Sequence, residues 1–218
     1  MMNRKGLLIF SITLFFVMGI EAQTSNQKFK LNMKTLIKET NSVGTNYDEF
    51  VVIGSKFERI GNVETKEWLP YYYAAYCCSM KALRTSKESE NLANKADKLL
   101  DMALLRGGNK CEILCLKSYA ATARLLLDPQ HNWMTEGKKS SEYINQAVES
   151  EPNNPRACLL LGQSILNTPK EYGGGYDAAK NILEKALEKF KTFKAPNELY
   201  PNWGEQYARY LLTQKKSY

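Results

Sequence analysis

The stretch SSEYINQAVESEPNNPRACLLLGQSILN, residues 140–167, decides how the chain folds. Its first half places Tyr143, Ile144, Ala147 and Val148 at the three- and four-residue steps of one helical face. Its second half, Arg156 to Asn167, predicts a second helix, in which Leu161-Gly162 is followed by Ile165. Between them stands Glu151-Pro152-Asn153-Asn154-Pro155. A proline has no N–H to give to a helix interior, and its ring clashes with the preceding turn, so this run is a turn between two helices.

The same alternation of helix and stop extends in both directions. Downstream, Thr168-Pro169 and Gly173-Gly174-Gly175 bracket a loop, Asp177 to Phe190 is a helix, and Trp203 to Gln214 is the last one. Upstream, Lys138 begins the helix that ends at Ser150, and Glu112 to Leu127 forms another, stopped by Asp128-Pro129. Ser89 to Leu105 carries Leu92, Ala96, Leu99, Leu100 and Ala103 on one face and ends at Arg106-Gly107-Gly108-Asn109. Trp68-Leu69-Pro70 opens a helix reaching about Leu83, with Pro tolerated in a first turn. Before it, Leu31, Met33, Leu36 and Ile37 predict a short helix. Tyr47 to Ile60 predicts another, weakened by the β-branched Val51-Val52-Ile53 and by Gly54. The expected fold class is all-α.

In the second helix of each pair a small residue recurs seven positions before an alanine: Ala96 and Ala103, Ser140 and Ala147, Ala179 and Ala186. Seven residues are two turns, so each pair shares a face and admits a close neighbour. Leu161-Gly162 before Ile165 matches Trp203-Gly204 before Tyr207, and Pro152 follows Ala147 by five residues. These elements together resemble the tetratricopeptide repeat (TPR) over residues 67–214. The resemblance implies a solenoid of helical hairpins, preceded by extra N-terminal helices in residues 23–66. The spacing departs from the family: Ala103 and Ala147 are 44 residues apart, Ala147 and Ala186 are 39 apart, and a standard unit has about 34. The runs Phe57-Glu58-Arg59-Ile60, Trp68 to Tyr76 and Tyr172-Gly173-Gly174-Gly175 further resemble exported TPR-containing proteins of Gram-negative bacteria, for which the resemblance implies no activity.

Arg4 and Lys5, the apolar run Leu7 to Ile20 and the small residue Ala22 are ordered as a secretory signal peptide over residues 1–22. The mature chain is therefore expected in the periplasm or outside the cell, without a transmembrane segment. The net charge is +7, and the leader's Arg4, Lys5 and Glu21 account for +1 of it. The lysines are spread along helix faces and form no concentrated basic stripe with aromatic readers, so nucleic acid is not an expected partner. The five cysteines, Cys77, Cys78, Cys111, Cys115 and Cys158, show no disulfide framework, and their odd number leaves at least one unpaired within the chain.

No constellation demands catalysis or a cofactor, so the chain reads as a non-enzymatic interaction module or scaffold for a protein or peptide, with self-association as a further possibility. In TPR proteins the first helices of the pairs line a concave surface. The resemblance thus assigns partner contacts to the polar residues Tyr119, Thr122, Arg156, Gln163, Asn167, Glu205 and Arg209. The alternative is a metal-dependent or hydrolytic enzyme. Cys111 and Cys115 lie one turn apart and His131 is the single histidine, but a structural zinc needs four ligands and no spacing joins the three. Trp133 is expected to anchor its loop on the helices, the other role being an aromatic contact to a partner. The triple glycine lacks the Lys-Ser/Thr of a nucleotide-binding loop and reads as a turn.

Overall fold

The computed structural model describes residues 26–214, and among them it is all-helical. The signal-peptide reading concerns residues 1–22 and lies outside the described residues. Ten α-helices follow in order: α1 (residues 26–41), α2 (Glu49–Val63), α3 (Leu69–Ala82), α4 (Ser89–Leu105), α5 (Lys110–Leu125), α6 (Pro129–Asn132), α7 (Lys138–Ser150), α8 (Pro155–Asn167), α9 (Tyr176–Thr192) and α10 (Glu205–Thr213). Two short turns intervene, one π-helical at Trp133–Gly137 and one 3-10 at Lys170–Tyr172.

Local chemistry sets the helix starts. Asn109 accepts the backbone N–H of Glu112 at 2.9 Å, and Asn154 accepts those of Arg156 and Ala157 at 3.0 and 3.3 Å. Each asparagine thereby satisfies donors that the first turn leaves unpaired. Gly54, unfavourable by propensity, lies inside α2 because a Cβ there would stand 3.0 Å from Cys77 Cβ on α3. The first helix is longer than the predicted stripe: Phe29 and Thr40 are buried beyond the Met33 to Ile37 core.

The small-residue pairs lie where helices meet. Ala96, Ala103, Ala147, Ala179 and Ala186 have no exposed surface, and Ser140 is buried. At Gly162 a Cβ would come within 2.7 Å of Leu183 Cδ2, so the absence of a side chain lets α8 lie against α9. Consecutive helices pack on one another from α2 to α5 and from α7 to α10, with α5 also touching α3, α7 and α8.

Helix α3 is buried almost all round, which explains its run of aromatics. Phe57 stacks on Tyr73 at 5.1 Å, and Tyr72 meets Tyr73 edge-on at 5.5 Å. The segment between α9 and α10 crosses back over this helix. Tyr73 donates to the Leu199 carbonyl at 3.0 Å, and Trp203 Nε1 donates to the Tyr72 hydroxyl at 2.8 Å. Trp203 therefore precedes α10 and seals the core, whereas its periodicity had predicted the start of the last helix.

All five cysteines are free thiols and buried. Burial pushes the Cys77 thiol well above its ordinary value and the Cys78 thiol up to about 11. For Cys115 a hydrogen bond with Cys111 and then burial act in the same direction. Protonated thiols are poor nucleophiles and poor metal ligands.

Candidate functional site

Two polar assemblies share α5 and α8. At the N-terminal ends of these helices, Glu112 and Arg156 form a buried bidentate ion pair. Arg156 Nε and Nη2 each donate to a Glu112 carboxylate oxygen at 2.7 Å. Asn154 Nδ2 donates to Glu112 Oε1 at 2.7 Å, and the Tyr72 hydroxyl donates to Oε2 at 3.3 Å. The guanidinium lies 4.8 Å from the Phe193 ring centroid and also faces Tyr200 and Trp203. Burial works against the charge on Arg156, but its hydrogen bonds to Glu112 and the carboxylate's charge override that and raise its pKa. Both carboxylate oxygens of Glu112 and the Nε and Nη2 of Arg156 are hydrogen-bonded, as a buried charge pair requires.

Further along the same helices the chain opens into a cavity of about 970 Å³. α5, α7 and α8 form its walls. The π-helical turn makes one lip and the Pro169–Tyr172 segment the other. The apolar lining includes Leu125, Trp133, Met134, Ile144, Leu160 and Tyr172. Trp133 and Met134 are each 59% exposed and Tyr172 is 79% exposed, so the lips present large apolar surfaces to solvent. A cavity of this size is at the upper end of small-molecule sites, typically about 300–1,000 Å³.

The walls are less polar than their sequence suggests. The Thr122 and Ser140 hydroxyls donate to the Ser118 carbonyl at 2.8 and 3.1 Å and lie 2.9 Å from each other. Ser118 and Thr168 also return their hydroxyls to carbonyls of their own helix. Tyr119 is 7% exposed, its ring 5.6 Å from that of Trp203, and burial pushes its phenol well above the usual value. The lip is held from behind. Arg124 pairs with Asp97 at 2.5 Å and Glu136 at 3.6 Å, and Asn132 donates to the Arg124 carbonyl.

Of the residues singled out in the sequence, the structure brings Tyr119, Thr122, Gln163 and Asn167 together around this cavity. Arg156, expected to point outward, is 1% exposed, because its partner Glu112 stands inside the core. Glu205 and Arg209 pair with each other at 2.6 Å on α10 and do not line the cavity. The residues of the metal or hydrolytic alternative are separated. Cys111 and Cys115 are fully buried, with Cys111 facing the Ala147 carbonyl, whereas His131 projects into solvent beside Asp128 at 2.8 Å. Among the described residues no three His, Cys, Asp or Glu side chains gather as metal ligands.

Sequence reasoning gave no site role to Ser118, Lys138, Met134 or Tyr172. Trp133, expected to anchor its loop or else to offer an aromatic contact to a partner, stands on the lip of the cavity. The available signal was the exposed Trp-Met pair within the otherwise polar run after Asp128-Pro129.

The chain is similar to the HusA haemophore from Porphyromonas gingivalis. The two share 38% sequence identity and a TM-score of 0.80, over 87% of this chain and 93% of the other. No protein-family model matches the chain, and neither does any curated protein.

Proposed function

The chain belongs to the family of the HusA haemophore, and from that premise we propose that it is an exported, non-enzymatic carrier that holds haem in the cavity between α5, α7 and α8. The observation that carries this reading is the cavity itself: about 970 Å³, walled by apolar side chains and by hydroxyls already satisfied within the protein. A large, flat, apolar ligand fits such walls because the Ser118, Thr122, Ser140 and Thr168 hydroxyls keep their partners when water is expelled; Gln163 Oε1 is a buried lining oxygen without one. Met134 and Tyr172 on the lips are residue types that ligate haem iron. The leader-like residues 1–22 support export. Among the described residues no helix is long and apolar enough to cross a membrane. The successive helix packing and the buried small-residue pairs support a TPR-like hairpin arrangement, with the cavity on the face formed by α5 and α8.

Titrating the chain from Gln23 onward with haem, followed by the Soret absorbance, tests the reading. Saturable binding is expected in the wild type. Ser164→Trp, which fills the cavity from α8, is expected to abolish it with an unchanged helical circular dichroism spectrum. Equal affinity in the two proteins would remove the cavity from the account.

A protein partner is the second reading, favoured by the stacked Tyr207 and Tyr210 rings on α10, 38% and 55% exposed. Cross-linking of the chain in an envelope extract would locate such a contact, and a cross-link confined to α10 would make it independent of the cavity.

A further inference from the structure

The charge pattern of the cavity lining is one-sided. No Asp, Glu, Arg or His lines it, and Lys138 is the one formally charged residue among the lining residues described. Lys138 opens α7 at the rim, beside the Trp133–Gly137 lip. Its side chain is 72% exposed, and its ion-pair partner Glu142 is 3.9 Å away on the same helix and half exposed. A contact that long between two solvated ends holds the ammonium only weakly. Of the neighbouring cations, Arg124 is committed to Asp97 and Glu136, and Lys139, 3.9 Å from Glu136, does not line the cavity. Ser141, one turn further on, spends its hydroxyl on the Gly137 carbonyl. Among the described lining residues one movable positive charge therefore stands at the mouth of an otherwise uncharged, largely apolar chamber.

That arrangement suits an amphiphile with an apolar body and an anionic edge. A tetrapyrrole with propionate side chains has this shape: the macrocycle enters the chamber and the carboxylates remain at the rim. We propose that Lys138 is a specificity-determining residue that pairs with a carboxylate substituent of the bound tetrapyrrole, so that the site ranks ligands by their free carboxylates. The proposal rests on the haem-carrier reading. It concerns the periphery of the ligand and is indifferent to the iron.

The test compares one metalloporphyrin as its free diacid and as its dimethyl ester, each titrated against wild type, Lys138→Met and Lys138→Arg. A partly exposed, charge-assisted hydrogen bond predicts that wild type prefers the diacid by about three- to tenfold. Lys138→Met is expected to lower diacid affinity to the level of the ester, and Lys138→Arg to restore the preference. Raising the salt to about 0.5 M should shrink the preference in wild type, since an exposed pair is screened. Equal affinity of wild type for diacid and ester, or an unchanged preference in Lys138→Met, would overturn the proposal while leaving haem binding intact. Failure of wild type to bind either compound would overturn the carrier reading, and the proposal with it.

Discussion

Helices α5 and α8 each do two opposite things along their length. Their first turns, at Glu112 and Arg156, are locked in a buried bidentate ion pair whose carboxylate oxygens are both hydrogen-bonded. Their later turns, at Ser118 to Leu125 and Leu160 to Asn167, part around a cavity of about 970 Å³. The fixed end determines how far the open end can spread. Two helices clamped at one end, with α7 and the lips between them at the other, keep a cavity open without collapse. The contrast predicts that substitutions in the locked half will register in stability, and those in the open half in binding.

The largest effect is expected at the ion pair. Arg156→Ala leaves the Glu112 carboxylate buried without its charge partner, and breaking such a pair costs about 3–5 kcal/mol. Urea unfolding should show that loss. The double variant Glu112→Gln, Arg156→Met should recover much of it, because no uncompensated charge remains. A single variant as stable as wild type would mean that water reaches the pair and that the two halves are not mechanically distinct.

The alkaline limb of stability gives a smaller effect that compares the halves residue by residue. Burial raises the Tyr119 phenol at the cavity wall and the Tyr72 phenol at the ion pair above the ordinary value of about 10. Their contribution to stability is fully present below pH of about 10. Above it the unfolded chain releases a proton that the native chain keeps, so stability falls as pH rises, by up to about 1.4 kcal/mol per pH unit per group. Tyr119→Phe is expected to remove one such term, flattening unfolding free energy between pH 10 and 11 relative to wild type. If haem occupies the cavity, its addition should leave that difference in place, since the phenol is already desolvated in the free protein.

The fold was legible where local chemistry dictates it. Pro152 and Pro155 mark the turn between α7 and α8, and the alanine pairs identify the faces that touch, whereas the asparagine caps at the starts of α5 and α8 are seen only in the structure. Arg156 shows the limit. The resemblance made it an outward contact residue, but its partner Glu112 is 44 residues away, and no sequence spacing reveals a pairing that tertiary packing creates. The cavity was legible only in fragments. Tyr119, Thr122, Gln163 and Asn167 follow from the resemblance to the repeat family, while the lips do not, because a short helix and a π-helical turn stand between Asp128 and Lys138, where a loop was expected. A void is defined by what three helices leave unfilled, and residue types alone do not encode that.

The smallest stability effect, and the sharpest separation of the halves, is expected at the lip. Trp133 and Met134 are each 59% exposed, and the backbone beneath them is held by Arg124 and Asn132 without their help. Their truncation to alanine leaves no cavity in the core and no unpaired polar group, so unfolding free energy should change by no more than about 0.5 kcal/mol. Haem affinity should fall much further. A tryptophan that becomes buried only in the complex contributes its full desolvation to binding and none to folding, and such anchors typically cost about 2 kcal/mol or more when removed. Trp133→Ala is therefore expected to weaken haem binding by more than tenfold at unchanged melting temperature. The opposite pattern, a destabilised protein with unaltered affinity, would assign Trp133 to the fold and leave Tyr172 and the α8 wall to hold the ligand.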